Sequence, residues 1–216
     1  MNYEEMQLTV QKTALKAYEE KLVAGTSGNV SVYDRETGVM AITPTNMDYR
    51  IMRPEDVVLL KLDGTIVKGD LKPSSEWRLH AGIYAGIEEA NAVIHTHSQY
   101  ATGFAVTHEK VPLILVEMLP FLGGDIPVAD FGLPGTDEVG INAVRALKDP
   151  KRNACLLANH GVVAYGKNID QAYVRAVYVE DAATIYAHAL QSGGKITLIP
   201  KTAEKILRER YHLGDR

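Results

Sequence analysis

The run Ala92-Val93-Ile94-His95-Thr96-His97 constrains this chain more than any other segment. Its apolar first half reads as a buried strand, which needs partners along its edges and covering layers on its faces. Residues two apart on a strand point the same way, so both imidazoles leave one face together at the strand's end.

The remaining chain offers the partners and the layers. Asn29 to Tyr33 alternates as a strand does, Asp34 to Gly38 reads as a hairpin turn, and Val39 to Ile42 as the return strand. Val57 to Leu62 and Thr65 to Val67, divided by Asp63-Gly64, read as a second hairpin. Val111 to Val116, Ile126 to Ala129, Ala154 to Ala158 and Val162 to Tyr165 are further strand candidates. Helical spacing predicts helices over Tyr3 to Val23, closed by Gly25, and over Glu76 to Glu88 and Ser98 to Val106. It also predicts a helix capped by Thr136 and reaching Leu147, a long one over Asp170 to Leu190, and a last one over Thr202 to Arg210. Strands interleaved with helices and hairpins predict an α/β protein, an α/β/α sandwich around a mostly antiparallel or mixed sheet. No linker, low-complexity tract or internal repeat interrupts the pattern, so residues 1–216 are read as one domain.

Composition removes several function classes. A hydrophobic fraction of 46% and a charged fraction of 23% are those of a soluble globular protein. A net charge of -4, without any run of Lys and Arg, argues against a nucleic-acid surface. The longest apolar stretch, Val111 to Leu122, contains Glu117 and two prolines and cannot span a membrane. The acidic start Met1 to Glu5 has no apolar stretch behind it, and the lone Cys155 can form no internal disulfide. The expected location is the cytoplasm.

Three clusters carry chemistry. His95 and His97 converge on one point, and His160, between two apolar runs in Asn159-His160-Gly161, offers a third imidazole. Three neutral imidazoles suit zinc and leave a position open for substrate. Spacing alone leaves this reading level with one of ordinary hydrogen-bonded histidines. His80, His108, His188 and His212 have no such grouping and are read as ordinary. The second cluster is Lys72-Pro73-Ser74-Ser75-Glu76, where a helix start exposes backbone N–H groups beside two hydroxyls, as an anion site does. A plain capped helix reads the same way. The third joins Gly25-Thr26-Ser27-Gly28-Asn29 with Thr43-Pro44-Thr45-Asn46, loops whose amides can wrap a phosphate or simply turn the chain. No GxGxxG or P-loop pattern supports a nucleotide site.

Taken in order, Thr26-Ser27-Gly28-Asn29-Val30-Ser31, Ile42-Thr43-Pro44-Thr45, Pro73-Ser74-Ser75-Glu76, His95-Thr96-His97 and Asn159-His160-Gly161 resemble the class II aldolase/adducin family over roughly residues 5 to 190. Ser74-Ser75-Glu76-Trp77-Arg78 is similar to the aldolase branch, whereas the pentose 4-epimerase branch usually has an aspartate where Glu76 stands. The resemblance implies zinc held by His95, His97 and His160, and a catalytic acid/base in Glu76. It implies a phosphate held by Asn29, Thr45, Asn46, Ser74 and Ser75. It further implies a homotetramer with active sites between subunits. Asn46 stands where the aldolases often have glycine, and asparagine also visits left-handed backbone angles. Glu117 stands near a family tyrosine that handles a substrate hydroxyl proton across the interface, and Tyr211 matches a second interface tyrosine loosely.

The implied reaction is retro-aldol cleavage of a ketose 1-phosphate, of the L-fuculose 1-phosphate kind, to dihydroxyacetone phosphate and a small aldehyde. An epimerase or dehydratase of the same fold, and a non-enzymatic adducin-like module, are the alternatives.

Overall fold

The computed structural model describes residues 1–148 and 150–213. Eight strands form one sheet in the order β4-β3-β2-β1-β5-β8-β7-β6. They are β1 (Asn29–Asp34), β2 (Val39–Ile42), β3 (Val58–Lys61), β4 (Ile66–Lys68), β5 (Ala92–Thr96), β6 (Val128–Ala129), β7 (Ala154–Leu157) and β8 (Gly161–Gly166). Only the β6–β7 pair is parallel, so the sheet is mixed and mostly antiparallel, as the pattern predicts.

Helices cover both faces. Alternation along the central strands divides the core: Val30, Val32, Ala92 and Ile94 face one side, packed with residues of α1 (Tyr3–Glu19), α3 (Gln99–Thr107) and α6 (Ile169–Gln191). Met40, Ile42, Val93 and Val163 face the other, against Leu79, Ile83 and Tyr84 of α2 (Trp77–Gly86) and Ala143 and Leu147 of α5 (Asp137–Lys148). Short α4 (Met118–Leu122) and α7 (Lys201–Arg210) complete the helices among the described residues. Every residue of β5 is buried, as the opening run requires.

Three local expectations change. Val111 to Val116 is not a strand: Val111 alone makes a bridge, to Ile126, and α4 follows. Pro112 has no N–H to continue a ladder, and the apolar Leu113, Ile114 and Leu115 pack on the core from irregular backbone. Pro127 likewise shortens the next candidate to Val128–Ala129. The first helix ends at Glu19 rather than Val23, because Lys21 takes φ +61° and closes a Schellman motif. In that motif Lys21 N–H donates to Tyr18 O and Leu22 N–H to Ala17 O, so Gly25 belongs to the loop beyond.

The register fixes the site. Asn29 on β1 lies opposite His95 on β5, and Thr96 lies opposite Val162 at the start of β8. The beginning of β1, the end of β5, the β7–β8 loop and the start of α2 therefore meet at one end of the sheet.

Candidate metal centre and anion cleft

His95, His97 and His160 do converge. Their ring centroids lie 4.7 to 5.2 Å apart. One nitrogen of each and a Glu76 oxygen fall within 4.8 Å of one another. The hairpin loop between β7 and β8 brings His160 in, with Asn159 at φ +54° turning the chain. Gly161 is required there, since a Cβ would stand 2.4 Å from Thr96 O and 3.2 Å from both His95 and His97 rings.

The donor set fits a divalent cation. His95 Nδ1–H donates to Val162 O at 2.8 Å, which leaves Nε2 as a bare lone pair in the neutral ring. That lone pair faces His97 Nε2 at 2.9 Å and Glu76 Oε2 at 3.2 Å. Glu76 Oε1 lies 3.0 Å from His160 Nε2, buried and outside hydrogen-bonding geometry. Lone pairs and a carboxylate this close call for positive charge among them, and three imidazoles with a carboxylate are donors that bind transition metals.

The electrostatics reflect the same contacts. Burial pushes the Glu76 carboxyl up, but the flanking His95 and His160 imidazoles outweigh it and hold the group below the usual carboxylate range. Burial, with the neighbouring His95 and His160, pushes His97 down to about 4. His95 moves the other way: burial lowers it, yet the Glu76 carboxylate prevails and raises it. Neutral imidazoles are the form that binds metal.

Beside this cluster opens a cleft of about 360 Å³. It is lined by Asn29, Thr45, Asn46, Ser74 and Ser75, the five expected phosphate residues, and also by Glu76 and His97. Two loops are stitched together to form its wall: Thr45 N–H donates to Lys72 O at 3.1 Å and Ser74 N–H to Thr43 O at 3.0 Å. Asn46 adopts φ +52°, the left-handed angle expected of it in place of glycine. Gly28 closes the opposite wall at φ +74°, where a Cβ would meet His95 O at 2.7 Å. The buried Tyr49 pins this loop, its hydroxyl donating to Gly28 O at 2.6 Å. Ser74 Oγ accepts the Glu76 N–H at 3.2 Å, so this serine both holds the turn that leads into α2 and lines the cleft.

A larger cavity of about 680 Å³ lies near Arg175 and Arg208 and contains none of the histidines of the cluster. Three of its cations are ion-paired, Lys151 to Glu89, Arg152 to Asp125 and Arg208 to Glu204, and Arg175 donates to the Phe121 and Tyr165 carbonyls.

Glu117 and Tyr211 stand apart. Glu117 is exposed at the start of α4, and Tyr211 is exposed at the end of α7. Among the described residues of one chain, no hydrogen bond or ion pair joins either to the histidine cluster. Sequence reasoning missed His80, Ser31, Tyr84 and Tyr49. The first three form a buried chain of hydrogen bonds ending on Asn29, whose Nδ2–H donates to Glu76 Oε2 at 3.0 Å. The signal for them was present as Glu76, His80 and Tyr84 at four-residue spacing on one helix, facing Asn29 and Ser31 two apart on a strand.

The fold and this site together define an enzyme built around a cluster of three histidines and one carboxylate that could hold a metal ion, with a polar cleft beside it. The family model of the Class II Aldolase and Adducin N-terminal domain matches residues 9–187. The chain is similar to the 5-deoxy-D-ribulose 1-phosphate aldolase of Bacillus thuringiensis serovar kurstaki, 35% identical over 95% of this chain and 97% of that protein. It is similar to the L-fuculose phosphate aldolase of Haemophilus influenzae, 34% identical over 98% of this chain and 96% of the other. A solved L-fuculose 1-phosphate aldolase superposes with a TM-score of 0.89, covering 96% of each chain at 35% identity. The chain belongs to the class II aldolase/adducin family and is a lyase of the metal-dependent aldolase type. No helix among the described residues is long and apolar enough to cross a membrane.

Proposed function

We propose that this protein is a zinc-dependent aldolase that cleaves a ketose 1-phosphate, L-fuculose 1-phosphate in the first instance, to dihydroxyacetone phosphate and a small aldehyde. One observation carries the reading: Glu76 and His97 of the cluster line the cleft together with Asn29, Thr45, Asn46, Ser74 and Ser75, so a phosphate in the cleft sets the attached sugar against the histidine cluster. The relatives named for 5-deoxyribulose 1-phosphate make that sugar the second substrate to test. The complete ligand set argues against a non-enzymatic adducin-like module.

His95, His97 and His160 would hold the metal. A divalent cation there supplies Lewis-acid neutralisation of the charge that develops on the substrate oxygens when the C3–C4 bond breaks. Ser74, Ser75, Thr45, Asn46 and Asn29 bind the phosphate and hold the reacting carbons in register. The C4 hydroxyl loses its proton to a base as the aldehyde departs; Glu117 or Tyr211 of a neighbouring subunit is the candidate, within a homotetramer. Glu76 takes part as the carboxylic acid in this step: it must first gain a proton, which it delivers to C3, returning to the carboxylate and completing dihydroxyacetone phosphate. The chain, residues 1–216, acts as one domain, and the lone buried Cys155 suits the cytoplasm.

The test is release of dihydroxyacetone phosphate from each of the two sugars by zinc-loaded protein, against a chelated control. Release that the chelator abolishes supports the reading. A rearranged ketose would make the protein an epimerase, and loss of water a dehydratase.

A further inference from the structure

α2 and β1 face each other with polar side chains in step. Glu76, His80 and Tyr84 follow at four-residue intervals along α2, and Asn29 and Ser31 alternate on the facing side of β1. Asn29, Ser31, His80 and Tyr84 are each 3% exposed or less. Tyr84 OH meets Ser31 Oγ at 2.6 Å, Ser31 Oγ meets His80 Nδ1 at 2.6 Å, His80 Nε2 meets Asn29 Oδ1, and Asn29 Nδ2 meets Glu76 Oε2 at 3.0 Å.

The order of donors follows from Glu76. An ionised carboxylate only accepts, so Asn29 must turn its NH2 to Glu76 and its carbonyl to His80. His80 Nε2 then carries the hydrogen, and Nδ1 of the neutral ring accepts from Ser31. Ser31 has one hydrogen, so Tyr84 donates to Ser31. Every hydrogen in the chain points toward Glu76, and each member is too buried for water to replace its partner.

We propose that His80, backed by Ser31 and Tyr84, is a positioning residue that acts through the Asn29 amide to fix the Glu76 carboxylate against the histidine cluster. This deepens, and rests on, the reading of Glu76 as the proton-transfer group. Without the His80 donor, Asn29 Oδ1 loses its buried partner, and the amide is free to rotate its carbonyl toward Glu76.

The test compares His80→Met, which fills the space without a donor, with His80→Gln, whose amide N–H can still reach Asn29. His80→Met is expected to lower kcat about 10- to 100-fold, the range for losing a group that orients a site residue. Zinc content stays near the parent's, the thermal midpoint falls because buried Asn29 and Ser31 lose a partner, and His80→Gln recovers much of the lost kcat. Parental kcat in folded, zinc-loaded His80→Met overturns the proposal, as does a loss that only tracks the thermal midpoint in both variants. Nitrogen-edited NMR of the zinc-loaded parent, without substrate, reads the tautomer directly. A slowly exchanging His80 Nε2–H is expected; an Nδ1–H ring overturns the chain of donors. A parent that cleaves no ketose phosphate fails the functional reading alone, because the tautomer still decides the network in the same sample.

Discussion

Glu76 Oε2 stands 3.2 Å from His95 Nε2, and the other oxygen of the same carboxylate stands 3.0 Å from His160 Nε2. One side chain from the start of α2 thus touches an imidazole on β5 and another in the β7–β8 loop. Glu76→Gln keeps the shape and removes the acid. Turnover should fall about 100- to 10,000-fold, the usual contribution of a positioned acid or base. Metal content by atomic absorption should be unchanged. Parental turnover would remove Glu76 from the proton transfer.

His97 presents its Nε2 to His95 Nε2 at 2.9 Å and is partly open to the cleft. His97→Ala leaves two of the three imidazoles proposed to hold the metal. The purified variant should lose most of its metal, as should His160→Ala. Stoichiometric metal in both, by elemental analysis after dialysis, would contradict the ligand assignment.

Ser74 and Ser75 separate structure from binding. Ser74 is buried and accepts the Glu76 N–H, whereas Ser75 is exposed in the cleft. Ser75→Ala should raise KM for the phosphorylated sugar with little change in kcat or stability. Ser74→Ala should also cost about 0.5–1.5 kcal/mol of stability, as loss of one intramolecular hydrogen bond does. The prediction fails if the two variants have the same denaturation midpoint and the same KM.

The metal-free protein should weaken as pH falls from about 6.5 to about 4.5, the span between the ordinary His and Glu values. Burial, with His95 second, pushes His80 down to about 3, so the unfolded chain binds a proton there that the folded one refuses. That difference lowers unfolding free energy by about 1.4 kcal/mol per pH unit below the unfolded pKa. His97, pushed down to about 4, adds a smaller slope of the same sign because it is partly solvated. His95 is raised, so its contribution is already complete below the unfolded pKa and is lost only as pH rises through its folded value. Glu76 is lowered, so its contribution fades only at more acid pH. Urea titrations at pH 6.0 and 5.0 of the chelator-treated protein check this; equal stabilities at the two would rule it out.

Much of the site was legible because its residues act through short-range rules. Two-residue alternation places His95 and His97 on one face, and the order of five motifs carries the resemblance to the family. Asn46 could be trusted with a left-handed angle because its side chain tolerates one, and it takes φ +52°. The irregular 112–117 segment misled because apolar composition reports burial and not backbone pairing, and Pro112 decides the pairing.

By itself the sequence determined the layered α/β class, the strand that ends in His95-Thr96-His97, and the loops that line the cleft. Only the tertiary structure decided that His80 matters. In the sequence it is a lone histidine on a helical face. Its role exists because the β1–β5 register puts Asn29 beside His95, and α2 lies so that its four-residue repeat meets the two-residue repeat of β1. A contact between two elements depends on how they pack, and neither element's own periodicity contains that information.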